Sequence, residues 1–247
     1  MEDIRRHILS CIIVLAGLVT ACNDPDAPDC FKQRGEIVDR EVSLPSFSAI
    51  EVRGMVEVVL TSGTEQKVSL RAGEKLIEEI TLEVEQGVLR IDDRTSCNWV
   101  REYADITVHI SRPSLRELTQ RGSGSIRSEG VFLTDSLDIR VLAGTGDIDL
   151  NITGKDIFYL NNSLANVMLS GSVHTFTAHH YFNDAILHSE NLRSSLTEIQ
   201  HRGSNDMFLR ADKRIRGTIE STGSVYCLGQ PGTVEVTESG YGELVLK

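Results

Sequence analysis

Aromatic residues make up only 5% of this 247-residue chain, with a single tryptophan, so any aromatic contact surface must be drawn from few rings. Five prolines and no Gly-X-Y period exclude a collagen-like rod, while 40% apolar and 25% charged residues exclude a disordered chain. Basic residues are also short: 25 Lys and Arg against 36 Asp and Glu leave a formal charge of −11. Nucleic-acid partners are excluded on that account, because no basic stripe is present to release counterions. The densest basic cluster, Lys213-Arg214-Ile215-Arg216, reads as a solvated turn. Catalytic signatures are missing as well: there is no Gly-x-Ser-x-Gly elbow, no His-Glu-x-x-His helix and no phosphate-cradling loop.

What is present is repetition. From position 121 onward one phrase recurs: Gly122-Ser-Gly-Ser-Ile126, Gly144-Thr-Gly-Asp-Ile148, Ser163-Leu-Ala-Asn-Val167, Phe182-Asn-Asp-Ala-Ile186, Gly203-Ser-Asn-Asp-Met207, Ser221-Thr-Gly-Ser-Val225 and Gly240-Tyr-Gly-Glu-Leu244. A period near twenty belongs to solenoids. The third residue of each phrase (Gly124, Gly146, Ala165, Asp184, Asn205, Gly223, Gly242) is read as a corner that tolerates positive φ or carries little bulk. After it, Ile126, Ile148, Val167, Ile186, Met207, Val225 and Leu244 form one inward row, and the residues two further on form a second, with His188 and Cys227 among them. Small residues at Gly130, Gly154, Gly171, Ala211 and Gly229 mark another bend.

No such rung can bury its own apolar face, but stacked neighbours can. The expected fold is therefore all-β: a parallel β-helix of about seven rungs, right-handed by the steric bias of parallel crossovers. A β-sandwich is the alternative for many short strands with regular turns.

The first seven residues carry Arg5 and Arg6, positions 8–18 are almost wholly apolar, and Val19-Thr20-Ala21-Cys22 follows. This describes an export signal over 1–21, too short to stay in a bilayer. It resembles the lipobox of bacterial lipoproteins, which implies acylation at Cys22 and a membrane anchor rather than a span. Residues 22–35 then form an acidic, proline-containing tether. The acidic run after Cys22 resembles the surface-export signal of Bacteroidetes lipoproteins, implying a lipid-anchored outer-membrane protein exposed at the cell surface. A periplasmic protein with a generic linker is the alternative. In an oxidising compartment Cys30 and Cys97 are expected to pair, closing a loop of nearly seventy residues worth roughly 4 kcal/mol, with Cys227 buried and free; the alternative is no disulfide at all.

Residues 36–247 read as one β-helix domain, in which 36–111 form a strand-turn-strand capping half and 112–247 the repeats. The capping half includes one helical turn near Glu74-Lys-Leu-Ile-Glu-Glu-Ile80. Here a resemblance enters. Phe47-Ser-Ala-Ile50, Gly54, Val56-Glu-Val58, Gly63, Leu89-Arg-Ile91, Leu115-Arg-Glu-Leu118, Gly122-Ser-Gly124 and Gly144-Thr-Gly-Asp147 are similar in order and spacing to the head GIN domain family of auto-transporter adhesins. Cys97-Asn-Trp-Val-Arg101 resembles a segment of lipoprotein members from gut Bacteroidetes. The resemblance implies a right-handed β-helix in the cell envelope and names no ligand. The middle repeats depart from it, with Ser163-Leu-Ala and Phe182-Asn-Asp in place of Gly-Ser-Gly.

Chemistry is sparse. His180 and His201 share a slot on adjacent rungs and are the best metal candidates, but no third ligand joins them; stacked imidazoles of the rod wall are the competing reading. A glycosidase needs two carboxylates about 5 to 10 Å apart. Asp147 and Asp206 lie three rungs apart, and Asp184 sits in a corner where turn geometry already accounts for Asn and Asp. The expectation is a non-catalytic surface adhesin or glycan- or protein-binding module with no cofactor. Tyr159, Tyr181 and Phe182 are its candidate contact residues. A carbohydrate-active enzyme and a structural envelope component are the alternatives.

Overall fold

A computed structural model describes residues 35–95, 106–181 and 184–247. Cys22, Cys30, Cys97 and Phe182 lie outside the described residues, and with them the expected acylation at Cys22 and the expected pairing of Cys30 with Cys97. The chain opens with β1 (Ile37–Glu41), β2 (Ala49–Val52), β3 (Glu57–Ser62), β4 (Lys67–Gly73), a 3-10 turn at Ile77–Glu79, β5 (Ile80–Glu85), β6 (Val88–Asp93) and β7 (Thr107–Arg112). There follow β8 (Glu117–Gln120), β9 (Ile126–Ser128), β10 (Phe132–Val141), β11 (Ile148–Asn161), β12 (Val167–Tyr181), β13 (Leu187–Arg202), β14 (Met207–Arg210), β15 (Arg214–Ile219), β16 (Val225–Leu228), β17 (Thr233–Glu238) and β18 (Leu244–Leu246).

From β8 onward every pairing is parallel, and the strands wind as a β-solenoid of about six turns. Val58, Ile126, Ile148, Val167, Leu187, Met207 and Val225 are successive register partners in one inward column, all fully buried. Burial of apolar side chains in such columns drives folding, since each rung supplies the apolar floor of the next. Antiparallel pairing is confined to the N-terminal part, where β4 pairs with β1 and β7, and β5 with β6. Within this part β2 and β3 continue the solenoid columns through β8 and β9.

Three details differ from the sequence reading. First, the inward residue of the fourth rung is Leu187, not Ile186, which moves Ser189 inside and turns His188 out. The frame slips in the corner before it, since Asn161 pairs with His180, nineteen residues on, but Val167 with Leu187, twenty on; a second irregularity follows, with Met168 paired to His188 but Ser170 to Asn191. Second, β11, β12 and β13 run unbroken for 14, 15 and 16 residues through the second bend, because inter-rung pairing continues around it.

The third difference is why glycine occupies the corners. None of Gly124, Gly146, Gly223 or Gly242 has positive φ. Instead, a Cβ at each would come closer than 3.0 Å to a backbone carbonyl oxygen of the preceding rung: of Val56, Gly124, Asn205 and Gly223 respectively. These corners need glycine for close approach between layers. The same slot holds Ala165 and Ala185 in the two rungs whose corner phrases lack glycine altogether.

Cys227 is buried in the column between Leu209 and Leu246 and is a free thiol. Burial pushes its pKa up to about 11, so the thiolate is scarce at neutral pH. Peptide mapping after brief iodoacetamide treatment should find Cys227 unmodified in the folded protein and alkylated after denaturation; alkylation of the native form would contradict this packing.

Candidate functional site: a corner hollow beside an aromatic patch

The residues singled out from sequence fall into an inner set and an outer set. Gln120, Val141, Asn161, His180, His201 and Ile219 are consecutive partners in one inward column, and its polar members are fully buried. They hold the corner from within. Asn161 Nδ2 donates to the Ala165 carbonyl at 2.9 Å while Asn161 Oδ1 accepts from the Ser163 N–H at 2.8 Å. Gln120 spans its own corner in the same way, to the Gly124 carbonyl and, at 3.2 Å, the Gly122 N–H.

His180 and His201 occupy this slot one and two rungs on, their rings tilted by 30° with centroids 5.5 Å apart. They lie inside the core, not in the rod wall. Neither ring nitrogen of His201 reaches a partner at full hydrogen-bond geometry. Burial pulls its pKa down to about 4, only partly offset by the Asn205 backbone and the charge of Asp206. As a metal site the pair is short of donors: no group of three or more His, Cys, Asp or Glu able to hold an ion occurs among the described residues.

Tyr159 belongs to the inner set too. It is fully buried, 6.1 Å from the His180 ring, and offers no contact surface. Burial raises its phenol pKa, with the Asn161 side chain opposing.

Carboxylates at the outer corners are engaged in holding rung to rung. Asp147 Oδ1 accepts the Asn166 N–H at 3.1 Å, Asn166 Oδ1 the Ile186 N–H at 3.0 Å, and Asp206 Oδ1 the Ser224 N–H at 2.8 Å. Each side chain thus caps a backbone donor of the next layer. Asp147 and Asp206, three rungs apart at about 4.8 Å each, are on the order of 14 Å from one another, too far to share a glycosidic bond.

Two outward aromatic groups remain, and they differ in geometry. His188, Phe208 and Tyr226 stack along the rod with centroids 5.1 Å apart and planes within 7° and 11°, and Lys247 Nζ lies 4.4 Å over Tyr226. Phe208 lies face to face between the other two rings. On the face formed by β11, β12 and β13, Phe158, His179 and Tyr181 are half-buried and mutually inclined. Phe158 and His179 meet at 79° with centroids 5.0 Å apart, His179 and Tyr181 at 53° and 5.7 Å. The Tyr181 hydroxyl donates to Gln200 Oε1 and lies 3.3 Å from His179 Nδ1. Burial lowers the His179 pKa, with Glu198 opposing, so this ring is neutral at neutral pH.

Beside Tyr181 the face turns a corner into a hollow of about 430 Å³. Asn162, Ser163 and Leu164 line it from one rung, Asp184 from the next, then Arg202 with Ser204, and finally Ser221. These are the rungs in which the Gly-Ser-Gly phrase gives way to residues with side chains. Leu164 is 60% exposed. Ser204 donates to Asp184, and Arg202 Nε donates to Glu220 Oε2 at 2.8 Å with its guanidinium 5.6 Å over the Tyr181 ring. Of the candidate contact residues Tyr181 lies on this outer face, where Phe158 and His179, not proposed as contacts from sequence, join it.

By class the fold is a parallel β-solenoid with structural groups inside and its polar and aromatic variety outside. The chain belongs to the head GIN domain family: the family model described as "Putative auto-transporter adhesin, head GIN domain" matches residues 46–231. Among solved structures it is similar to a "putative adhesin" from Bacteroides fragilis NCTC 9343, at 21% identity and a TM-score of 0.78, over 86% of this chain and 97% of that one. A "putative lipid binding protein" from Parabacteroides distasonis ATCC 8503 is similar at 17% identity and a TM-score of 0.62, over 85% of this chain and 97% of that one. At these identities the likeness is one of fold. No curated protein matches the chain.

Proposed function

We propose that this chain is a non-catalytic binding module of the cell envelope, anchored to the outer membrane through acylated Cys22 and exposed at the cell surface, where it engages a glycan or protein ligand. The observation that carries the reading is the division of labour among its polar groups. Asp147 and Asp206 are engaged on backbone donors and Asp184 accepts from Ser204, whereas the outer face beside the corner hollow keeps inclined aromatic rings and exposed polar side chains at Asn162 and Ser204. Membership of an adhesin family supports it. No described helix is long and apolar enough to cross a membrane, so attachment in this reading rests on the lipid alone. The acidic tether after Cys22 holds the rod away from the lipid surface.

The test is made on cells expressing the full chain. A metabolically supplied fatty-acid label should enter the wild type and be absent from Cys22→Ser, and intact cells carrying the wild type should react with antibody against the rod. Label retained by Cys22→Ser, or reaction only after permeabilisation, would overturn the anchored, surface-exposed arrangement.

A further inference from the structure

The geometry points to the hollow and the adjoining Phe158, His179 and Tyr181 patch as one continuous site for an uncharged oligosaccharide. This deepens, and rests on, the reading of the chain as a binding module. Three observations converge on that ligand class. The hollow touches four successive rungs, which at about 4.8 Å each gives a groove on the order of 14 Å long. That suits a short chain of sugar units better than a single small molecule.

Its walls offer what a polyol needs: the Ser221 hydroxyl, the Asn162 amide and the Asp184 carboxylate, with the Ser163 and Ser204 hydroxyls, whose protons go to the Gly144 carbonyl and to Asp184, as acceptors and Leu164 as an apolar wall. The inclined rings next door do not cover each other as those of the His188, Phe208 and Tyr226 stack do. In this assignment the side of Tyr181 turned away from the Arg202 guanidinium, with the half-buried Phe158 and His179 rings, receives the C–H face of a sugar.

Charge selects within the class. The one guanidinium in the hollow, Arg202, is already paired with Glu220, while Asp184 adds a negative charge beside it and the whole chain carries −11. A uronic-acid or sialylated chain would meet net repulsion. His179, neutral at neutral pH, adds no compensating positive charge.

The experiment applies the purified full chain to an array holding neutral hexose and N-acetylhexosamine oligosaccharides beside uronic-acid and sialylated ones, and repeats it with variants. The expected result is retention of one or more neutral oligosaccharides, at least a tenfold loss of affinity in Tyr181→Ala and in Asp184→Asn, and no change in Phe208→Ala on the other aromatic column. Asp184→Asn keeps the side-chain shape, so its effect is readable even if Tyr181→Ala unfolds, as circular dichroism would show. Retention of anionic glycans alone, glycan binding indifferent to both site variants, or no bound neutral glycan overturns this assignment. Any of these leaves the broader binding-module reading standing if cells still capture a protein ligand, whereas cleavage of an array glycan defeats that reading itself.

Discussion

Gly146→Ala should destabilise the folded chain by about 3 kcal/mol, out of proportion to the single methyl it adds. The new Cβ would lie within 3.0 Å of the Gly124 carbonyl oxygen and of backbone carbon atoms in the same rung. Backbone cannot give way as a flexible side chain can, because Gly124 is itself held against the Val56 layer by the same close approach. Gly130→Ala supplies the comparison. Gly130 has φ of +75° but nothing within 4 Å of a built Cβ, so its cost is conformational only, about 1 kcal/mol. Urea denaturation of both variants measures the difference. Equal costs would mean that the corner glycines serve backbone conformation, and that the layers are not as close as described.

Acid should weaken the rod through His201. In the unfolded chain an imidazole titrates near 6.5; in the fold, burial brings His201 to about 4. Between those values the unfolded state binds a proton that the folded state does not, so stability falls as pH drops from 6.5 toward 4 and is undiminished above that window. The contribution at stake is on the order of 3 kcal/mol. Asn161 fills the same column slot and spans its corner with an amide, so His201→Asn should keep the fold and remove this component. Denaturation at pH 7 and pH 4 should show the wild type losing on the order of 3 kcal/mol more than His201→Asn. Parallel losses would mean that His201 reaches solvent or gains a proton-stabilising partner.

Much of this architecture can be read from the chain because a solenoid repeats its instructions. The column Ile126, Ile148 and Val167 follows from a period near twenty and a spacing of two, both visible in sequence and both present in the register. The fourth rung is misread by one residue because Phe182-Asn-Asp and Asn183-Asp-Ala are equally good frames when no glycine marks the corner, and the added residue between His180 and Leu187 is invisible to a fixed period. Tyr159 looks like an outward ring because Ile157-Phe-Tyr-Leu160 is apolar at every position, so alternation assigns no face. Comparison across rungs would have decided it: Tyr159 aligns with Ala178 and Ile199, whereas Phe158 aligns with Thr177 and Glu198. The function of the corner glycines is less accessible still, since it depends on what lies one layer away rather than on the residue's own conformation.

The site was legible as a disturbance. The departure from Gly-Ser-Gly at Ser163-Leu-Ala falls in a rung that lines the hollow, where the Leu164 side chain stands in solvent. What sequence alone withheld was the partnering of each carboxylate. Asp147 and Asp206 look available in a list of acids and are engaged once the rungs are stacked.

The central claim, that the interior is structural and the outer surface binds without chemistry, is tested most directly by one titration followed by product analysis. The full chain is titrated calorimetrically with an oligosaccharide it retains, held with it overnight, and the sugar is then recovered and weighed by mass spectrometry. Saturable heat with the oligosaccharide recovered at its original mass is the predicted result; shortened or unsaturated fragments would contradict it.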